Sequence, residues 1–108
     1  MSEREARIAQ NEASSREINE GIEHARPANP GDYVRMFCEC GRPDCSSLIA
    51  ITIQEYEAVR GDPRTFVVHH WHVSPDVEEP VRTHERFVVI RKREGTPAAI
   101  AEEEDPRS

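Results

Sequence analysis

The chain has 108 residues, 36% of them apolar and 32% charged, and carries a net charge of −7 at neutral pH. Globular domains typically run to roughly 45–50% apolar and about 25% charged, so the length fits one domain with a thin core. The acidic balance excludes a general binder of nucleic acid or of anionic membranes, which needs a basic surface; Arg35, Arg42 and the run Arg91-Lys92-Arg93 are too few to reverse it.

No stretch approaches the roughly 18 apolar residues of a membrane span. The first residues are charged and lack the apolar segment of a secretory leader. A cytoplasmic protein is expected. All three cysteines, Cys38, Cys40 and Cys45, fall within eight positions. An odd number so closely spaced suits metal ligation better than a disulfide framework.

From Ser2 to about Arg26 there is no proline, and Ile8, Ile18, Ile22 and Ala25 recur at helical spacing. Asn11 and Ser15 interrupt that stripe, so the helix is expected to dock through its C-terminal half. Pro27 and Pro30-Gly31-Asp32 end it and form a linker. Tyr33 to Cys40 alternates as a strand, with Val34, Met36 and Cys38 on one face and Tyr33, Arg35 and Phe37 on the other. Gly41 and Pro43-Asp44 are turn formers that bring Cys45 back beside Cys38 and Cys40. Leu48 to Ile51 reads as a short buried strand.

Thr52 and Glu55 form a capping-box pattern, so a helix starts there, with Ile53, Tyr56 and Val59 on one face and Gly61 and Pro63 as its stop. Phe66-Val67-Val68 opens a strand into His69, His70 and His72. Ser74-Pro75-Asp76 allows one helical turn before Pro80. Val81-Arg82 and Phe87 to Ile90 make a hairpin around Thr83-His84-Glu85. From Glu94 the chain is polar and is expected to be disordered. The expected fold class is α+β: an N-terminal helix and linker over 1–32, a small antiparallel sheet with one short helix over 33–93, and a disordered acidic tail over 94–108. A Cys₃His zinc site organises the middle part.

A structural zinc ion takes four ligands in a tetrahedron, and three thiolates with one imidazole fill it. Iron–sulfur clusters usually draw on four cysteines, whereas copper(I) is satisfied by two or three thiolates. The fourth ligand has five candidates, His24, His69, His70, His72 and His84. Strand alternation puts His70 and His72 on one face and His69 and Trp71 on the other. The ion matters to so thin a core: structural zinc binds with roughly 10 to 16 kcal/mol, against the about 5 to 15 kcal/mol that stabilise whole domains.

Asn11-Glu12-Ala13, Phe37-Cys38-Glu39-Cys40 with Asp44-Cys45, Glu55 to Arg60 with Asp62-Pro63, and Arg86 to Val89 resemble the corresponding segments of a group of small uncharacterised bacterial proteins. The resemblance runs from Arg7 to Lys92. In that group the strand after Asp-Pro enters a Pro-Gly-His turn whose histidine falls on His72. The resemblance therefore implies His72 as fourth ligand, with His70 as second choice, and implies no reaction. Two departures stand out: Ser14 and Ser15 replace large apolar residues, and His70-Trp71 replaces Pro-Gly.

The expected function is that of a zinc-stabilised interaction or regulatory module, with another protein as partner, docked through the first helix or an exposed sheet edge. The alternative is a thiol or zinc redox switch that releases metal on oxidation. Catalysis by His69, His70 or His84 with Glu78 or Glu85 finds no motif to support it, since the chain has no nucleophile elbow, phosphate loop or His-Glu-x-x-His.

Overall fold

The computed structural model describes residues 3–24, 31–42 and 44–107. The linker prolines Pro27 and Pro30 and the turn residue Pro43 lie outside the described residues. The fold is α+β. Its elements are α1 (Glu3–His24), β1 (Tyr33–Phe37), β2 (Leu48–Thr52), α2 (Ile53–Arg60), β3 (Thr65–Val68), β4 (Glu78–Thr83), β5 (Val88–Lys92) and α3 (Thr96–Glu103). The strands form two antiparallel sheets, β1-β2 and β3-β5-β4, rather than one.

β1 and β2 pair from Tyr33 opposite Thr52 to Phe37 opposite Leu48. Val34, Met36 and Cys38 turn to the core while Tyr33, Arg35 and Phe37 face solvent, as the alternation predicts. β2 alternates too: Ile49 and Ile51 are buried, Leu48 and Ala50 exposed. This corrects the expected buried strand, because a two-stranded ribbon lying on the core hides only one face. Beyond β1, Glu39 donates its N–H to the carbonyl of Val67 at 2.8 Å, which stitches the first sheet to β3 of the second.

Thr52 caps α2 as the sequence specifies. Its hydroxyl accepts from the N–H of Glu55 at 3.0 Å, and the Glu55 carboxylate accepts from the N–H of Thr52 at 2.9 Å. Tyr56 and Val59 of this helix join Val34, Met36, Ile49, Ile51, Phe66, Phe87 and Ile90 in the core. Thr52→Ala is expected to lower the unfolding free energy by about 1 kcal/mol, read as a shift in the urea midpoint at unchanged slope.

The hairpin β4-β5 forms with longer strands than expected, and β4 is an edge. Pro80 sits on it beside a register shift between Pro80 and Arg82. An edge at an irregularity is where a strand tolerates a residue with no N–H to give.

Two expectations are corrected in the helices. α1 does not dock by an isoleucine stripe, since Ile18 is 54% exposed; the positions it buries are Ile8, Ala9, Glu12, Ala13, Arg16, Asn19 and Glu20. Each buried polar side chain has a partner elsewhere in the fold. Lys92 Nζ donates to Glu12 at 2.6 Å and to Glu78 at 3.0 Å. Arg16 donates to the carbonyls of Pro63 and Ala101 at 2.5 and 2.6 Å and lies over the Phe66 ring. Arg60 donates to Glu20 at 2.6 Å.

The stretch after Glu94, expected to be disordered, carries α3. Its helix starts behind Gly95, whose φ of 102° is a conformation that glycine adopts without strain, and has proline in its first turn. Ala98 and Ala101 are buried. Arg16 bonds a carbonyl of its last turn, where a cation also meets the negative end of the helix dipole. The segment that follows is held by charge: Arg107 donates to Glu20, Glu23 and Glu57 at 2.7 to 3.0 Å, and Arg60 pairs with Asp105.

Candidate metal centre

Cys38 and Cys40 leave the end of β1 toward the interior, both buried, and Cys45 returns beside them half-buried. The return is a tight turn closed by the N–H of Cys45 bonding the carbonyl of Arg42 at 3.1 Å. The N–H of Cys38 then bonds the carbonyl of Ser47 at 3.0 Å, which extends the β1-β2 ladder up to the thiols. The histidine comes from the other sheet. β3 ends at Val68, earlier than the alternation over Phe66 to His72 assumes, and His69 to His72 form a turn closed by the N–H of His72 bonding the carbonyl of His69 at 2.9 Å.

One potential ligand atom from each of Cys38, Cys40, Cys45 and His72 lies within 4.8 Å of all the others. His72 Nδ1 stands 3.5 Å from Cys38 Sγ and 3.4 Å from Cys45 Sγ. A tetrahedral zinc ion, with bonds of about 2.3 Å to sulfur and about 2.0 Å to nitrogen, sets S···N edges of about 3.5 Å and S···S edges of about 3.8 Å. The four side chains therefore have the donor types of a closed tetrahedral site, and the two S···N distances match its edges. Three sulfurs and an imidazole suit soft or borderline ions and not Mg²⁺ or Ca²⁺, which take oxygen.

The surroundings supply what thiolate ligands require. The N–H of His69 donates to Cys38 Sγ at 3.2 Å, and the N–H of Arg42 donates to Cys40. Such bonds hold negative sulfur in place. The thiols also compete for charge: the hydrogen bond shared with Cys40, and then burial, push the Cys38 thiol up, while the same bond holds Cys40 down to about 5. Crowded thiols that cannot all ionise beside one another become fully ionised only when a cation joins them.

The remaining histidines are elsewhere. His70 Nε2 donates to the carbonyl of His84 at 2.6 Å, so the second choice of ligand is turned away from the thiols. The His84 ring stacks on Phe87 at 4.4 Å between centroids. His24 is 79% exposed on α1. The His69 ring lies 5.3 Å from that of His72, and its backbone rather than its imidazole reaches a sulfur.

One residue of the centre escapes sequence reasoning. Glu39 lies between two of the cysteines, where alternation assigns it to solvent, and yet it is fully buried. Its carboxylate accepts from Asn19 Nδ2 at 2.9 Å, from the Tyr56 hydroxyl at 2.9 Å and from the N–H of Val67 at 3.0 Å. Burial pushes the pKa of its carboxyl above the usual carboxylate range, and these donors pull it back. The only available signal was the placement of an acidic residue between two cysteines.

Among the described residues no helix is long and apolar enough to cross a membrane. No family model, no curated protein and no solved structure matches this chain.

Proposed function

We propose that the protein is a small zinc-stabilised interaction or regulatory module, working in the cytoplasm with another protein as its partner. The observation that carries this reading is the convergence of Cys38, Cys40, Cys45 and His72 onto one point, with ligand atoms within 4.8 Å of one another and His72 Nδ1 3.5 and 3.4 Å from two of the sulfurs. Four protein ligands leave no open coordination position, and closed sites are structural rather than catalytic. The ion would tie the β1-β2 ribbon to the turn that follows β3. The resemblance to the group of small bacterial proteins supports the same ligand set.

A surface for a partner is at hand. Trp71, in the turn that carries His72, is 82% exposed, and Tyr33, Phe37 and Leu48 stand on the solvent face of the ribbon. Exposed aromatic side chains of this kind are enriched at protein interfaces.

The reading is tested by elemental analysis of protein purified without chelators. About one zinc per chain is expected, as closed Cys₃His sites hold their ion through purification. Folded protein that carries no metal overturns it.

A further inference from the structure

We infer that metal occupancy governs the docking of α1, so that the helix is released from the sheets when the ion leaves; this rests on the zinc reading above. The juxtaposition that points to it is within one strand end. Cys38 and Cys40 present ligands to the ion, while the alternating residues Phe37, Glu39 and Gly41 present partners to α1.

Asn19 of α1 grips both backbone groups of Phe37, accepting its N–H and donating to its carbonyl, each at 2.8 Å, and it also donates to the Glu39 carboxylate. Asn11 donates to the carbonyl of Gly41 at 3.0 Å. Gly41 has a φ of 74°, and a Cβ there would collide with the carbonyl oxygen of Ile8 and lie 2.7 Å from Glu12 Cγ. The helix backbone thus rests on the knuckle itself. Any change in the path of residues 37–41 moves the surface on which α1 sits.

The other contacts that hold α1 are mostly polar: Arg16 bonds the carbonyls of Pro63 and Ala101, Glu12 accepts from Lys92, and Glu20 accepts from Arg60 and Arg107. The main apolar cluster contains no fully buried residue of α1; only Ile22 packs against it. The rest of the docking face is Glu12, Arg16, Asn19 and Glu20 with Ile8 and the small Ala9 and Ala13. Buried ion pairs depend on geometry and return little net stability once desolvation is counted. A helix held this way is poised, and its detached face is polar enough to stay in water. Its departure uncovers Lys92, Arg60 and the Phe66 ring. The sheets retain a core of their own in Val67, Val89, Ile90, Ile49 and Ile51.

Linkage makes the coupling reciprocal: the factor by which the ion strengthens α1 docking is the factor by which a docked α1 strengthens metal binding. Hydrogen exchange measured by mass spectrometry on the full zinc-loaded chain, before and after excess EDTA, tests the first half, with metal content read on the same samples. The amides of α1 are expected to exchange at least about tenfold faster after chelation while β3 and β5 keep their protection. Loss of protection in α1 and β5 together, or an unchanged α1 after the metal has gone, overturns the inference. Absence of metal from the starting protein overturns the zinc reading instead.

The second half is tested with Arg16→Met, which touches no ligand, and with the milder Asn11→Ala should the first variant not fold. Zinc affinity by competition with a chromophoric chelator is expected to fall about tenfold. Faster exchange in α1 at unchanged zinc affinity overturns the coupling.

Discussion

His72→Ala is expected to bind zinc at least about a thousandfold more weakly than the parent chain, a loss on the order of 4 kcal/mol. On the proposed zinc reading, the imidazole is the single ligand from the turn after β3, so its removal would open the site on the side that ties β1-β2 to β3. Stability follows by mass action. An ion present at a thousand times its dissociation constant contributes about 4 kcal/mol to a folded state that alone binds it. Against the about 5 to 15 kcal/mol of a whole domain, that loss is large. The expected result is substoichiometric metal and a thermal midpoint that no longer responds to added zinc. His70→Ala is the matched control: its ring bonds the carbonyl of His84, and the variant is expected to keep its metal. Retention of zinc by His72→Ala, or its loss from His70→Ala, would reassign the fourth ligand.

The second large effect is expected at a position remote from the thiols. Lys92 is 1% exposed, and its ammonium is the cation between the two buried carboxylates of Glu12 and Glu78. The second oxygen of Glu78 accepts from the N–H of Ser74, whereas Glu12 Oε2 is buried with no hydrogen-bond partner among the described residues. Lys92→Met leaves two acids facing each other in a dry site. A cost of about 3 to 5 kcal/mol in urea unfolding is expected, as for other broken buried pairs. Glu12→Gln added to Lys92→Met should recover much of it, because the repulsion then has no second charge.

The same site sets a pH dependence. Burial, and then the nearby Glu78, hold the Glu12 carboxyl well above its ordinary value of 4.5, while Lys92 pulls it down. A carboxyl raised in the folded state binds a proton there that the unfolded chain has already released. Its contribution is therefore fully present below about pH 4.5 and is lost as pH rises through the folded value. Lys92→Met removes the one influence that opposes the shift. Its penalty is expected to grow as pH rises above the ordinary carboxyl range, measured with zinc in excess at each point. A penalty independent of pH would place the cost in lost packing rather than in charge.

The parts of this fold that were legible in the sequence are those in which residue type alone decides the outcome. Three cysteines in eight positions suit metal ligation better than a disulfide framework, and Thr52 with Glu55 needs only its own backbone to form a capping box. The β4-β5 hairpin is similarly local. What was not legible depends on partners far along the chain. Hydrophobic periodicity gives α1 an isoleucine stripe, but Glu12 and Arg16 are buried because Lys92 and the carbonyls of Pro63 and Ala101 await them, 80, 47 and 85 residues away in sequence. α3 was hidden by the glutamates around it, although Pro97-Ala98-Ala99-Ile100-Ala101 is itself a helix-forming run. The burial of Glu39 and the turn at His69 follow from how the two sheets meet, which no local pattern encodes.

The polar docking face of α1 also bears on how the chain is made. α1 leaves the ribosome well before Lys92, Ala101 and Arg107, which complete its contacts. Throughout that interval Glu12 has no Lys92 to accept from and Arg16 lacks the Ala101 carbonyl, so the docking site is incomplete. An apolar stripe of the same length would wait as a sticky surface, open to wrong partners on the nascent chain and on its neighbours. A charged one waits in water at no such risk and recognises its site only when the complementary charges arrive. The docking of α1 therefore cannot be completed until Ala101, 85 positions beyond Arg16, has been made.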